Sequence, residues 1–153
     1  MTETIAWLVL RIAYAIAFLF PLKDLLRHFT ASIDLVKVLT SVQPRFFAVV
    51  MVVVMALGAL SILFGIYAQI AGFFLLIYCS FGIVVHYRLA HHIAQIQLST
   101  ALSEKDKALF NEAATLGVVG HQTSGLKNSV LAAVACFFML MGSGPLSITG
   151  NLF

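Results

Sequence analysis

Long apolar runs alternate with shorter polar segments along the chain. The runs cover residues 5–22, 46–64, 70–85 and 126–141. A helix rises about 1.5 Å per residue and a bilayer core is roughly 30 Å thick, so runs of this length suit membrane-spanning helices. The pattern predicts an all-α membrane protein, a four-transmembrane-helix bundle that forms a single domain over residues 1–153.

The two middle runs belong to one stretch, residues 46–85, that contains no charged residue. As a single helix this stretch would be about 60 Å long, twice the thickness of the membrane core. We therefore expect it to fold back, with the break at Gly65–Gln69, where glycine and polar residues interrupt the apolar run. The result would be a tight hairpin of two spans.

The polar segments on either side of this hairpin differ from each other. Residues 23–45 predict a loop with one short helix lying at the membrane interface. Residues 86–125 predict an amphipathic cytoplasmic segment between the third and fourth spans. Ser103 followed by Asp106 resembles a capping box, which predicts that a helix starts there. The glycines expected to loosen the chain before the last span are Gly117, Gly120 and Gly125.

The composition agrees with a membrane location, since 61% of residues are hydrophobic and only 10% are charged, against about 25% charged in soluble domains. The net charge of +3 would suggest nucleic acid on a soluble protein, but here most of the basic residues fall between apolar runs. The positive-inside rule puts such residues in the cytoplasm. We predict a bacterial inner-membrane protein in the lipid bilayer, both termini periplasmic, with no nucleic-acid partner. The eight basic residues are Lys23, Arg27, Lys37, Arg45, Arg88, Lys105, Lys107 and Lys127.

No Asp or Glu lies inside an apolar run. Ion pumps and acid–base isomerases of membranes usually need such a carboxylate, so both classes are disfavoured and no catalytic residue is predicted. Arg11 is the clear intramembrane charge, and it could snorkel outward or grip an anion, a carbonyl or a lipid or quinone head group. Tyr14 shares its helical face, and His86 ends the third run at the opposite membrane face.

Histidines and small residues offer two further patterns. The spacing of the histidines forms no recognisable metal motif, so no metal site is predicted. The residues that would have to supply one are His86, His91, His92 and His121. Small residues let membrane helices approach closely. The residues assigned to helix packing on this ground are Gly58, Gly65, Ala68 and Gly72.

The hairpin sequence GALSILFGIYAQIAG at residues 58–72 resembles the signature of the DoxX family of small four-helix membrane proteins. Residues 127–128 and 142–147 are similar to the family's closing Lys-Asn and Gly-Pro-Gly-x-Leu-Ser pattern. Arg11 and His86 also match family positions. The resemblance implies an accessory subunit near quinone-linked redox enzymes, because the family is named after a small subunit associated with a thiosulfate:quinone oxidoreductase and a terminal quinol oxidase.

The chain departs from the family at three positions. Met55 stands where the family often has glutamate, Gln69 where it often has arginine, and Thr149 where it has aspartate. These changes remove charged side chains and disfavour a catalytic role.

Three functions are open at this point. We expect a non-catalytic accessory subunit of a bacterial membrane oxidoreductase or respiratory complex, packed against larger subunits. The first alternative is a quinone-binding subunit that uses Arg11 and Tyr14 or, on the other face, His86. The second alternative is a small-molecule permease. No cofactor is predicted, although a quinone or a lipid could be bound.

Overall fold

The computed structural model describes residues 2–97 and 103–149, which are helical apart from turns and a short tail. Four of the helices are long and apolar enough to cross a membrane, which fits a multi-pass membrane protein. In chain order the helices are α1 (Thr2–Arg27), α2 (Phe29–Lys37), α3 (Pro44–Phe64), α4 (Ala68–Ala94) and α5 (Glu104–Met141).

Helix α1 is longer than the sequence predicts. The first apolar run ends at residue 22, whereas the helix continues through Pro21 to Arg27. Neighbouring helices can compensate for the amide that proline lacks inside a membrane helix. The short helix expected in the segment that follows is α2. Its exposed face carries an ion pair between Lys37 Nζ and Asp34 Oδ1 at 2.8 Å.

The turn between α3 and α4 lies inside the break that the sequence predicts. Gly65 ends α3 in a left-handed conformation with φ of 66°. Its N–H donates to the Ile62 carbonyl at 3.2 Å, and the Ile66 N–H donates to the Ser61 carbonyl at 2.8 Å. This pair of bonds is a Schellman motif, which satisfies the last carbonyls of a helix and favours glycine at the left-handed position.

Helix α5 is a single unbroken helix of 38 residues. Ser103 caps it as predicted, since its Oγ accepts from the Asp106 N–H at 3.2 Å. The expected interruption at the three glycines is wrong, because they lie within the helix. One of them lets α4 approach closely, since a Cβ on Gly125 would lie 3.1 Å from the Tyr87 ring, whereas one on Gly117 would make an ordinary contact with Ile93 at 3.4 Å.

The amphipathic segment predicted between the third and fourth spans is thus mostly a continuation of α4 and α5. The two helices pack against each other in opposite directions, from Gly72 beside Met139 to Ile93 beside Gly117. Residues 98–102, in the connection between them, lie outside the described part. Since α5 is about 57 Å long, it extends well beyond a single bilayer crossing.

The helices define two ends of the molecule. At the terminal end, the tail after α5 meets the α3–α4 turn, where the Ile148 N–H donates to the Gly65 carbonyl at 3.1 Å. The opposite, basic end contains α2, and there Arg88 Nη1 donates to the Val38 carbonyl at 3.0 Å. Lys127, counted above with the basic residues of the cytoplasmic side, lies within α5.

A small apolar core joins the four long helices. Only 22–39% of the residues in each apolar window are buried inside the chain, so most of the helix surface faces outward. An apolar outer surface of this extent fits lipid contact. The largest core side chains with no more than 3% exposure are Tyr14, Phe18, Met55, Ile62, Leu75 and Phe138.

A candidate ligand-binding cavity

A cavity of about 280 Å³ lies between all five helices in the half of the molecule nearer the basic end. We call it the inner cavity. Most of its wall is apolar, with Phe18 from α1, Val36 from α2, Met55 from α3 and Leu131 from α5. The polar residues that line it are Ser32, Tyr78, His86, Lys127 and Asn128.

Two of these polar residues are buried. Ser32 is 7% exposed, and its Oγ has no hydrogen-bond partner among the described residues. Asn128 is 9% exposed and faces Gly82, where an added Cβ would lie 2.6 Å from Asn128 Nδ2. Glycine at position 82 therefore leaves the space that the amide occupies. A buried hydroxyl without a partner is costly unless something binds it.

His86 connects the cavity to a second histidine. Its Nδ1 lies 3.0 Å from Nδ1 of His121, across the α4–α5 contact. In such a pair one ring nitrogen carries a hydrogen and donates it in a hydrogen bond, and the other ring nitrogen accepts that bond. His121 does not itself line the inner cavity. The bond fixes the orientation of the His86 ring at the cavity wall.

The other histidines singled out from the sequence lie elsewhere. His91 and His92 are exposed on α4 beyond Arg88, and His91 Nε2 lies 2.9 Å from the side-chain nitrogen of Gln95. In the part of the chain that the structure describes, no group of three or more His, Cys, Asp or Glu side chains could hold a metal ion.

A second opening of about 480 Å³ adjoins the inner cavity on the side of α3 and α4. We call it the outer groove. Apart from Thr40 and the Tyr78 hydroxyl, its described lining is apolar. The two spaces share four wall residues, which are Val36, Leu39, Met51 and Tyr78. Tyr78 is held by a bond from its hydroxyl to the Met55 sulfur at 3.2 Å.

Arg11 occupies a different environment at the terminal end. It is 3% exposed and donates to three backbone carbonyls. Nε bonds Ile62 at 2.9 Å, Nη2 bonds Leu63 at 2.5 Å, and Nη1 bonds Leu146 at 3.1 Å. The first two carbonyls lie in the last turn of α3, where a cation is favourable, and the third belongs to the tail. We call this arrangement the arginine clamp.

Tyr14 lies one turn further along α1. Its hydroxyl donates to the Leu131 carbonyl on α5 at 3.0 Å, and its ring packs at 5.0 Å from Phe18 and 5.4 Å from Phe138. Neither Arg11 nor Tyr14 lines the inner cavity or the outer groove. The structure thus places His86 at the candidate site and the other two predicted contacts away from it.

Of the small residues named from the sequence, Gly58 and Gly72 lie at close helix contacts, Ala68 is buried, and Gly65 packs against the tail. A Cβ on Gly58 would meet the Leu75 side chain at 2.8 Å, and one on Gly72 would meet the Met139 backbone nitrogen at 2.6 Å. Ala68 is 2% exposed. Gly65 packs against Ser147, and a Cβ added at Gly65 would lie 2.8 Å from the Ser147 Cα.

Sequence reasoning missed Ser32, Lys127 and Asn128 as cavity residues. Asn128 carried a signal, since it is an amide inside the last apolar run. Ser32 carried none, because a serine in a short amphipathic helix is ordinary and its burial depends on how α2 packs.

Comparison with known proteins gives no relative: no family model, no curated protein and no solved structure matches the chain. The resemblance to the DoxX family therefore rests on the sequence motifs alone and stays a prediction. Function has to be inferred from the geometry of the cavity and the distribution of charge.

Proposed function

We propose that the chain is a multi-pass protein of the bacterial inner membrane whose function is to hold a lipid-soluble molecule of the quinone class. In this proposal the four long helices form a transmembrane bundle, the basic end faces the cytoplasm, and both termini face the periplasm. The positive-inside rule supports this orientation, because the basic residues outside Lys127 and Arg11 gather at one end. The test uses a reporter that is active only in the cytoplasm, fused to either terminus. Activity of such a fusion would contradict the proposed orientation.

The observation that carries the proposal is a polar cluster inside an otherwise apolar cavity between the helices. Ser32, Asn128 and Lys127 all carry hydrogen-bond donors, and His86 adds its Nε2–H in the tautomer in which its Nδ1 accepts from His121. Of the described residues that line the cavity, none is Asp or Glu. Such a lining favours a head group with carbonyl acceptors over a cation.

The size of the cavity agrees with a small head group. Small-molecule sites usually range from roughly 300 to 1,000 Å³ and combine apolar walls with a few polar groups. The inner cavity, at about 280 Å³, lies at the lower limit of that range. A ring with two carbonyl groups would place its faces against Phe18 and Met55 and its oxygens within the polar cluster.

A direct binding measurement tests this proposal. The purified chain in mild detergent is titrated with a benzoquinone that carries one isoprene unit, and binding is followed by calorimetry. We expect saturable binding, and a loss of about tenfold in affinity for His86→Ala and for Asn128→Leu, since each removes a hydrogen bond worth about 1–1.5 kcal/mol.

The matched control is His91→Ala, which removes an exposed histidine from the same helix and should leave the affinity unchanged. Melting temperatures of all variants show whether the fold survives loss of the His86–His121 bond. Absence of quinone binding by the unmodified chain, or equal affinity in the His86, Asn128 and His91 variants, would overturn the proposal.

A second candidate function is the non-catalytic accessory role in a larger oxidoreductase complex. The observation that favours it is the extension of α4 and α5 past a single bilayer crossing, where Leu116 remains 67% exposed and Val119 54% exposed. Extraction of the native complex in mild detergent, followed by mass spectrometry of co-migrating proteins, tests it. A monodisperse, stable monomer that co-migrates with no oxidoreductase would count against it. The two functions are compatible, since an accessory subunit can hold a quinone.

A further inference from the structure

We propose that the ligand of the inner cavity has a single long apolar tail, and that this tail leaves the protein sideways through the outer groove between α2, α3 and α4. The inference rests on the proposed function, because it assigns a path to the tail of the molecule whose head group the inner cavity holds. It makes the chain selective for amphiphiles with one chain over head groups alone.

The adjacency of the two spaces is the first step. Val36, Met51 and Tyr78 each form part of both walls, so only side chains such as these separate the inner cavity from the outer groove. Val36 is only 4% exposed, which places this shared wall inside the protein. A molecule that fills the inner cavity therefore has the outer groove as its neighbouring space.

The chemistry of the groove is the second step. Its lining includes Phe47, Val50 and Ile77, which are 42%, 38% and 39% exposed on the outer surface of α3 and α4. These apolar side chains lie on helices that are long enough to span the membrane, so the groove opens toward the hydrocarbon layer. A hydrocarbon chain fits such a groove, whereas a polar substituent would be left without partners.

The dimensions of the groove are the third step. Along α3 it runs from Phe47 to Val54, and along α4 from Phe74 to Phe81. Seven residues of helix correspond to about 10 Å. This length suits a tail of decyl size or the first prenyl units of a longer one, and the rest of a longer tail would continue into the bilayer.

The experiment compares two benzoquinones with the same head group, one carrying a decyl chain and the other a single isoprene unit. Ile77→Trp fills the outer groove, and Ile77 does not line the inner cavity. The tail of a quinone in a micelle is already out of water, so its preference for the groove comes from van der Waals packing against the groove side chains. We expect the unmodified chain to bind the decyl compound about tenfold more tightly. In Ile77→Trp this preference should fall to less than about threefold, with the affinity for the isoprene compound unchanged.

The control is Leu60→Trp, which adds the same bulk on the outer surface of α3 at a residue that lines neither space. Each compound partitions into detergent to the same extent whichever variant is present. A change in the preference between variants therefore reports on the protein. Val50→Trp fills the groove from α3 and provides a second test if Ile77→Trp does not fold.

Three outcomes are informative. If the decyl preference is lost in the groove variants and kept in Leu60→Trp, the proposed tail path is supported. If the unmodified chain binds both compounds and the groove variants keep the preference, the tail path is overturned while the proposed function stands. If the unmodified chain binds neither compound, the proposed function fails and the tail path fails with it.

Discussion

The arginine clamp and the inner cavity are both polar regions within apolar helices, but their polar groups are used differently. In the clamp, three guanidinium nitrogens of Arg11 bond carbonyls of α3 and the tail at 2.5–3.1 Å. In the inner cavity, the buried Ser32 hydroxyl has no bond to any described residue. The clamp is complete within the chain, and the cavity lining has donors left for a ligand.

This difference separates polar groups that are bonded within the chain from polar groups that remain available to a ligand. An intramembrane charge is by default a candidate for function, and on that ground Arg11 attracts attention before Ser32 does. The contacts favour Ser32 as the ligand-binding candidate, because Arg11 donates to the last carbonyls of α3 whereas Ser32 lines the inner cavity. Ser143 is a further buried hydroxyl without a partner in the described chain, but it lines neither the inner cavity nor the outer groove.

The largest expected effect comes from breaking the clamp. Arg11→Met keeps an apolar stem of similar length and removes three hydrogen bonds, two of them to carbonyls at the end of α3. Bonds to charged groups contribute about 1.5–3 kcal/mol each, and their loss is not additive, so we expect a loss of about 3 kcal/mol or more in unfolding free energy. Denaturant titration in mixed micelles, followed by circular dichroism, measures it.

Arg45→Ala is the matched control, because Arg45 is exposed at the first turn of α3. Its loss should change the unfolding free energy by less than about 0.5 kcal/mol. Quinone affinity should be the same in both variants once they are folded. A fully stable Arg11→Met variant with weakened quinone binding would show that the arginine serves the ligand after all.

The fold was largely predictable from the sequence because membrane spans follow from length and charge. The apolar runs gave four long helices, and the glycine break at Gly65 coincides with the α3–α4 turn. One error arose where local signals were read as a break. Gly117 and Gly125 lie within α5, because packing against α4 outweighs the local preference of glycine.

Of the residues at the candidate site, the sequence analysis named His86 alone as a ligand contact. Sequence periodicity places a residue on a helix face, but it does not tell which faces leave a space between them. Ser32 and Asn128 meet around the cavity because α2 folds back onto α3 and because Gly82 leaves room on α4. Both conditions depend on the relative placement of several helices, and no single segment of sequence contains that information.

A pair of glycines on α4 tests how rigid the two regions are. A Cβ on Gly72 would lie 2.6 Å from the backbone nitrogen of Met139, whereas one on Gly82 would lie 2.6 Å from the Asn128 side-chain nitrogen. A side chain can turn away and a helix backbone cannot. We expect Gly72→Ala to lower the unfolding free energy by about 1–3 kcal/mol and Gly82→Ala to lower it by less.

Quinone titration of the same variants completes this test. Gly82→Ala displaces the Asn128 amide and should weaken binding of the isoprene compound, while Gly72→Ala should leave binding intact in the folded fraction. Equal destabilisation by the two substitutions would mean that the α4–α5 contact around Gly82 is packed as rigidly as the contact around Gly72.

The smallest effect, and the one that tests the comparison most directly, is expected from Ser32→Ala. Removing a buried hydroxyl without a partner should leave the ligand-free protein equally stable or raise its unfolding free energy by up to about 1 kcal/mol. Quinone affinity should fall, because the ligand loses a donor. Ser80→Ala is the control: Ser80 is exposed and bonds the Leu76 carbonyl at 2.8 Å on its own helix, so neither quantity should change. Opposite signs for stability and affinity at Ser32 would identify a hydroxyl kept for a ligand, whereas a loss of stability without any change in affinity would make Ser32 as structural as Arg11.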